Sequence, residues 1–80
     1  MDDSDIRQAI LRAVHARGPG KTLCPSEVAR SLAPNWRPLM PQIRQIAQTL
    51  ADGGAVIITQ KGTQVNAITA KGSIRLGLPD

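Results

Sequence analysis

Arg44, Gln45 and Gln48 carry the side chains in this sequence best suited to ligand chemistry. Guanidinium and amide groups can form paired hydrogen bonds to base edges or phosphates. All three lie within residues 38–52, where Leu39, Ile43, Ile46 and Leu50 recur at spacings of four, three and four. On a helix that spacing makes one apolar stripe. At about 100° per residue, Pro41, Arg44, Gln45, Gln48 and Asp52 fall on the opposite face. Lys61 follows in Gln60-Lys61-Gly62-Thr63, which reads as a basic turn. The pattern predicts a helix with its apolar side inward and its donors outward, beside a cationic hairpin. Arg37 at the helix start and Lys71 beyond the hairpin would add phosphate contacts.

Other chemistries are poorly supplied. Gly20-Lys21-Thr22 resembles the end of a phosphate-binding loop, but the required earlier glycine is replaced by His15, and a helix rather than a strand precedes the segment. Cys24 and His15 could supply a nucleophile and a base, yet no third group is identifiable to orient them. One histidine and one cysteine are too few for a metal centre. The expectation is therefore no catalytic residue, no metal, no cofactor and no enzymatic activity. Trp36, the single aromatic residue, is expected to plug the core between the second and third helices.

Eighty residues make a single domain, 1–80, with an ordered core expected over about 4–78. The hydrophobic content of 41% is almost wholly aliphatic, so Leu, Ile, Val and Ala must do the packing. No apolar run approaches the ~20 residues that span a bilayer. The acidic start, Met1-Asp2-Asp3-Ser4-Asp5, does not read as a secretory signal, and one cysteine cannot close an internal disulfide. These features point to the cytoplasm and away from a membrane. Formal charge is +4, but Asp2, Asp3, Asp5 and Asp80 sit at the ends. Between Ile6 and Pro79, ten Lys/Arg face only Glu27 and Asp52, a net +8. Such an excess attracts polyanions in a salt-dependent way.

The elements that must position these groups follow from local signals. A first helix is expected to start near Asp3 to Asp5, with Asp5 and Gln8 as a loose capping box and Ile6, Ile10, Ala13 and Val14 inward. Gly18-Pro19-Gly20 ends it, and Lys21-Thr22-Leu23 is a strand stub. Pro25 suits the first position of a second helix whose core stripe is Val28, Ala29 and Leu32. The third helix begins between Trp36 and Pro41, after a short tight turn, and ends at Asp52-Gly53-Gly54. Ala55 to Thr59 reads as a β-branched strand, Lys61-Gly62 as a turn and Thr63-Gln64-Val65 as the return. Asn66 to Gly72 is a loop with room for one helical turn. Ile74, Leu76 and Leu78 alternate with Arg75 and Gly77, as in a half-buried final strand. The expected class is α+β: a winged helix, with a three-helix helix-turn-helix core, a small antiparallel β-sheet and a wing.

That order, with Pro25-Ser26-Glu27-Val28-Ala29-Arg30, Trp36-Arg37-Pro38-Leu39-Met40-Pro41, Thr59-Gln60-Lys61-Gly62 and Ser73-Ile74-Arg75-Leu76, resembles a family of small bacterial proteins of unknown function. The similarity runs from about Ile6 to Leu78 and implies a winged helix-turn-helix domain. In the wider winged-helix class the third helix enters the major groove and the wing touches backbone or minor groove. Arg44, Gln45 and Gln48 match recognition-helix positions, and Lys61 matches a wing position. Pro41 departs from that class by occupying surface where base-contacting side chains often sit.

The leading expectation is a double-stranded DNA-binding module acting in transcriptional regulation. Arg44, Gln45 and Gln48 would read the groove, while Arg37, Lys61 and Lys71 would hold phosphates. Specific binding by so small an interface calls for a homodimer or a protein partner. The alternative is a protein–protein interaction module that binds no nucleic acid, with Pro41 and the glutamines of the third helix as its docking face.

Overall fold

Helix α1 spans Asp3–Arg17 in this computed structural model, which describes residues 1–79; Asp80 lies outside them. Its cap is Asp2 rather than the expected pairing of Asp5 with Gln8. The Asp2 carboxylate accepts from the Ser4 N–H at 3.4 Å, leaving Asp3 and Asp5 in the first turn, where negative charge suits the helix dipole. Strand β1, Thr22–Leu23, leads directly into α2, Pro25–Leu32. Pro25 opens α2, and Glu27 folds back so that Oε2 accepts from the Cys24 N–H at 2.9 Å. A 3-10 turn, Arg37–Leu39, then runs straight into α3, Met40–Asp52.

The strands are short: β2 is Ile57–Gln60, β3 is Thr63–Gln64 and β4 is Arg75–Gly77. They form a four-stranded antiparallel sheet in the order β1-β4-β2-β3. The hairpin between β2 and β3 is closed by Lys61 and Gly62, with φ of 53° and 80°. Two successive positive φ values are what a type I′ turn requires, and its twist matches that of the flanking strands. β3 is only an edge. The central pairing is β2 with β4, in the register Ile57↔Gly77, Ile58↔Leu76 and Thr59↔Arg75. Gly77 is buried where β1 crosses close to β4, and a Cβ there would stand 3.1 Å from Thr22 Cγ2 and 3.2 Å from the Lys21 carbonyl oxygen.

One aliphatic core unites these layers. Ile6, Ile10 and Val14 from α1 meet Val28 and Ala29 from α2, Ile43 and Ala47 from α3, and Ile58, Ile74 and Leu76 from the sheet and its approach. Helix α3 packs against both other helices and against β2. Its inward face is wider than the stripe expected from leucine and isoleucine alone. Ile43 and Ala47 are fully buried, Leu39, Ile46 and Leu50 flank them half-buried on one side, and Met40 and Ala51 do so on the other. Three helices with this sheet make an α+β domain consistent with a winged-helix-like arrangement. Among the described residues, no helix is long and apolar enough to cross a membrane.

Candidate nucleic-acid interface

The widened inward face of α3 decides what its polar residues can do. On a helix turning about 100° per residue, Met40, Ala47 and Ala51 carry the apolar arc round to the border where Arg44 sits. Arg44 and Gln48 are accordingly half-buried, whereas Gln45 is exposed. This corrects the expectation that all three project freely from one solvated face.

Both half-buried residues are engaged by the chain between β3 and β4. Residues 66–73 make one turn and then a run that bends at Gly72, where φ is 86°. Asn66 Oδ1 accepts from the Ile68 N–H at 2.8 Å, and its carbonyl accepts from the Ala70 N–H at 2.9 Å. Buried Ala67 donates its N–H to Gln48 Oε1 at 2.7 Å, while Gln48 Nε2 donates to Asp52 at 2.8 Å. Arg44 donates Nη1 to the Ala70 carbonyl at 3.0 Å and Nη2 to the Gly72 carbonyl. From the end of β2, Gln60 Nε2 donates to the carbonyls of Lys71 (2.6 Å) and Ser73 (3.1 Å). Arg44 thus takes the carbonyls of Ala70 and Gly72, and Gln60 those of Lys71 and Ser73. Side chains do the work of neighbouring strands here, and the segment forms a strap across one edge of α3.

Arg44→Ala removes one whole side of that support. Hydrogen bonds to a charged donor are worth about 1.5–3 kcal/mol, and water at this half-exposed site replaces part of that. We expect a loss of about 1–2 kcal/mol in denaturant unfolding, together with faster amide hydrogen exchange at Ala70 while α1 stays protected. Unchanged exchange in the strap would show that Arg44 does not hold it.

The cations sort differently from the donors of α3. Lys61 and Lys71 are exposed and line one cleft of about 560 Å³ with Gln60, Gly72, Ser73 and Arg75. Among the described residues no carboxylate lines it. Arg75 is the functional candidate that sequence reasoning missed. The alternation of the last strand turned it outward, but only its register opposite Thr59, one residue before Gln60, brings it beside the hairpin. Its guanidinium is steadied by β1, with Nε donating to Thr22 Oγ1 and Nη2 to the Thr22 carbonyl, each at 3.0 Å. Arg17 Nε donates to the same carbonyl at 3.0 Å.

Arg37 lies elsewhere, exposed beside Trp36. Trp36 is not the interior plug expected of it. It is half-buried against the core, and the guanidinium carbons of Arg37 and Arg30 stand 4.5 and 4.7 Å from its ring centroid. Pro34 and the two prolines around the 3-10 turn keep this corner irregular, leaving the ring at a helix junction with room for both cations. Gln45 borders a separate hollow of about 330 Å³ with Met40, Pro41 and Ile68. Cys24 forms the rim of a groove rather than part of a catalytic pair. Its sulfur accepts from Ser26 Oγ at 3.1 Å. Among the described residues no group of three or more His, Cys, Asp or Glu side chains could hold a metal ion.

Residues 3–79 match the model of a family described as a protein of unknown function, DUF3253. The chain belongs to this family. The match takes in all three helices, the four strands and the strap, so the wing cleft and the α3 edge are parts of the family's domain. No curated protein matches the chain.

Proposed function

We propose that this protein binds nucleic acid, duplex DNA foremost, through the cleft on its wing. The observation that carries the reading is the convergence of Lys61, Lys71 and Arg75 on one cleft with no carboxylate among its described lining residues. Like charges brought together on a small domain raise local potential and favour a ligand that is itself a string of anions. The strap supports the same reading, since Gln60 ties its backbone at Lys71 beside the hairpin and keeps Lys71 in the cleft that Lys61 lines. Gln45 remains the one exposed amide among the three proposed readers on α3, so base-edge contact would be slight.

The backbone at Lys61 adds a second support. A lysine at φ 53° occupies a conformation that asparagine or glycine adopts at less cost. Strain of about 1 kcal/mol tolerated at a cation suggests that the charge is wanted there. Lys61→Asn should therefore act in opposite directions on two measurements. Thermal or urea unfolding should show stability raised by about 0.5–1 kcal/mol, and titration of a labelled duplex should show weaker, less salt-dependent binding. A variant that gains stability and loses no affinity would remove Lys61 from the interface.

Fluorescence titration with duplex, single strand and RNA at two salt concentrations tests the reading as a whole. Binding that weakens steeply with salt supports it, and no binding at low salt rejects it. A protein-docking role is favoured by one specific feature. Ile68 is 54% exposed beside Met40 and Pro41, an apolar corner that polyanion binding does not use.

A further inference from the structure

The wing cleft does not end at Lys71. Gly72 and Ser73, which form part of its wall, also line a second groove of about 410 Å³ whose far side is Trp36, Met40 and Cys24. The two hollows therefore share Gly72 and Ser73, both exposed, as a common rim formed by the strap. Trp36, on the far side of that groove, carries the guanidinium groups of Arg30 and Arg37 over its ring, although neither arginine lines the groove itself. A cation held over an aromatic face keeps its full charge, unlike one neutralised by a carboxylate, and its planar fork is already oriented. Among the described residues no carboxylate lines either hollow.

We infer that a phosphodiester backbone crosses this rim, from Lys61, Lys71 and Arg75 over Gly72–Ser73 to a second phosphate site made by the Arg30–Trp36–Arg37 stack. The inference rests on the proposed nucleic-acid reading and extends it: recognition is of phosphates, largely blind to base sequence. Three features favour this. Arg44 and Gln48 are committed to the strap, Pro41 fronts α3, and guanidinium groups occupy the Trp36 ring where a base would otherwise stack. Arginine forks suit phosphate oxygens, which offer the same geometry at every nucleotide.

Trp36 is the only tryptophan, so the wild-type protein reports on the proposed second site directly. The probes are a random-sequence DNA duplex and linear polyphosphate, which has no bases. Saturable change of Trp36 emission with both, reversed by salt, is the expected result. In parallel, duplex affinity is measured across salt for the pair Arg30→Gln with Arg37→Gln and for a charge-matched pair, Arg7→Gln with Arg12→Gln, on α1. The stack pair should lower the slope of log affinity against log salt by about 2, near 0.9 for each phosphate left without its arginine. The α1 pair should lower it by much less, and Arg30→Lys with Arg37→Lys should keep most of it. If the glutamine pair fails to fold, the lysine pair and the wild-type emission still decide. Duplex binding with silent Trp36 emission, or equal slopes for the stack and α1 pairs, overturns the second phosphate site while leaving the wing cleft standing. Strong preference for one duplex sequence overturns the phosphate-only recognition. Absence of binding to either polyanion overturns the proposed function and this inference together.

Discussion

Ile43→Ala is expected to remove about 2–5 kcal/mol of stability, the usual range for emptying a fully buried isoleucine site. Ile43 has no solvent exposure and sits on the helix that packs against α1, α2 and β2, so its side chain lies where the layers meet. Native domains hold roughly 0.05–0.15 kcal/mol per residue, about 4–12 kcal/mol for a chain of this length. The loss therefore takes a large share of the total. Partial collapse of the site would moderate it, but Ala47 next to it offers little volume to move inward. Urea unfolding followed by Trp36 fluorescence measures the change as a shift of midpoint at nearly constant slope. A loss below about 1 kcal/mol would mean that α3 is not seated on the core by this residue.

The triple variant Lys61→Gln, Lys71→Gln, Arg75→Gln is the corresponding experiment for binding. If each cation displaces about 0.9 of a counterion from duplex DNA, the salt slope should fall by about 2.7. Referred to 1 M salt, that slope amounts to roughly a several-hundredfold loss of affinity at 0.1 M. Lys61 and Lys71 are exposed, so neither glutamine leaves a buried group without a partner. Arg75 does hold Thr22, and its replacement is expected to loosen the β1 edge. Unfolding of the triple variant must therefore be measured beside binding, and Lys61→Gln with Lys71→Gln alone separates the two effects. Retained affinity in a folded triple variant would reject the wing cleft as the binding surface.

Periodicity along the chain was enough to place the elements. The stub at Thr22–Leu23, the helix opened by Pro25, the tight turn before α3 and the Lys61-Gly62 hairpin all appear where local signals put them. Each depends on interactions within a few residues: capping by Glu27, the fixed φ of proline, the positive φ of a two-residue turn. The +8 excess and the outward turn of Arg75 are equally local facts.

The site was legible only in part. Lys61 and Lys71 stand out in the sequence as cations, but no local pattern shows that they line one cleft. A stripe of leucine and isoleucine alone leaves Arg44 and Gln48 as free donors. Counting Ala47 and Met40 as inward residues would have moved Arg44 to the edge of the apolar face.

Sequence alone thus determined the α+β class, the order of the elements, the two-residue hairpin and the basic charge of the body. Tertiary structure decided that residues 66–73 fold back on α3, that Arg44 and Gln48 are spent holding them, and that Arg75 joins the two lysines. The physical reason is range. Caps, turns and helical stripes are set by neighbours in the chain. A carbonyl taken by a guanidinium 26 or 28 residues away, as Ala70 and Gly72 are by Arg44, exists only once the core has brought the two segments together.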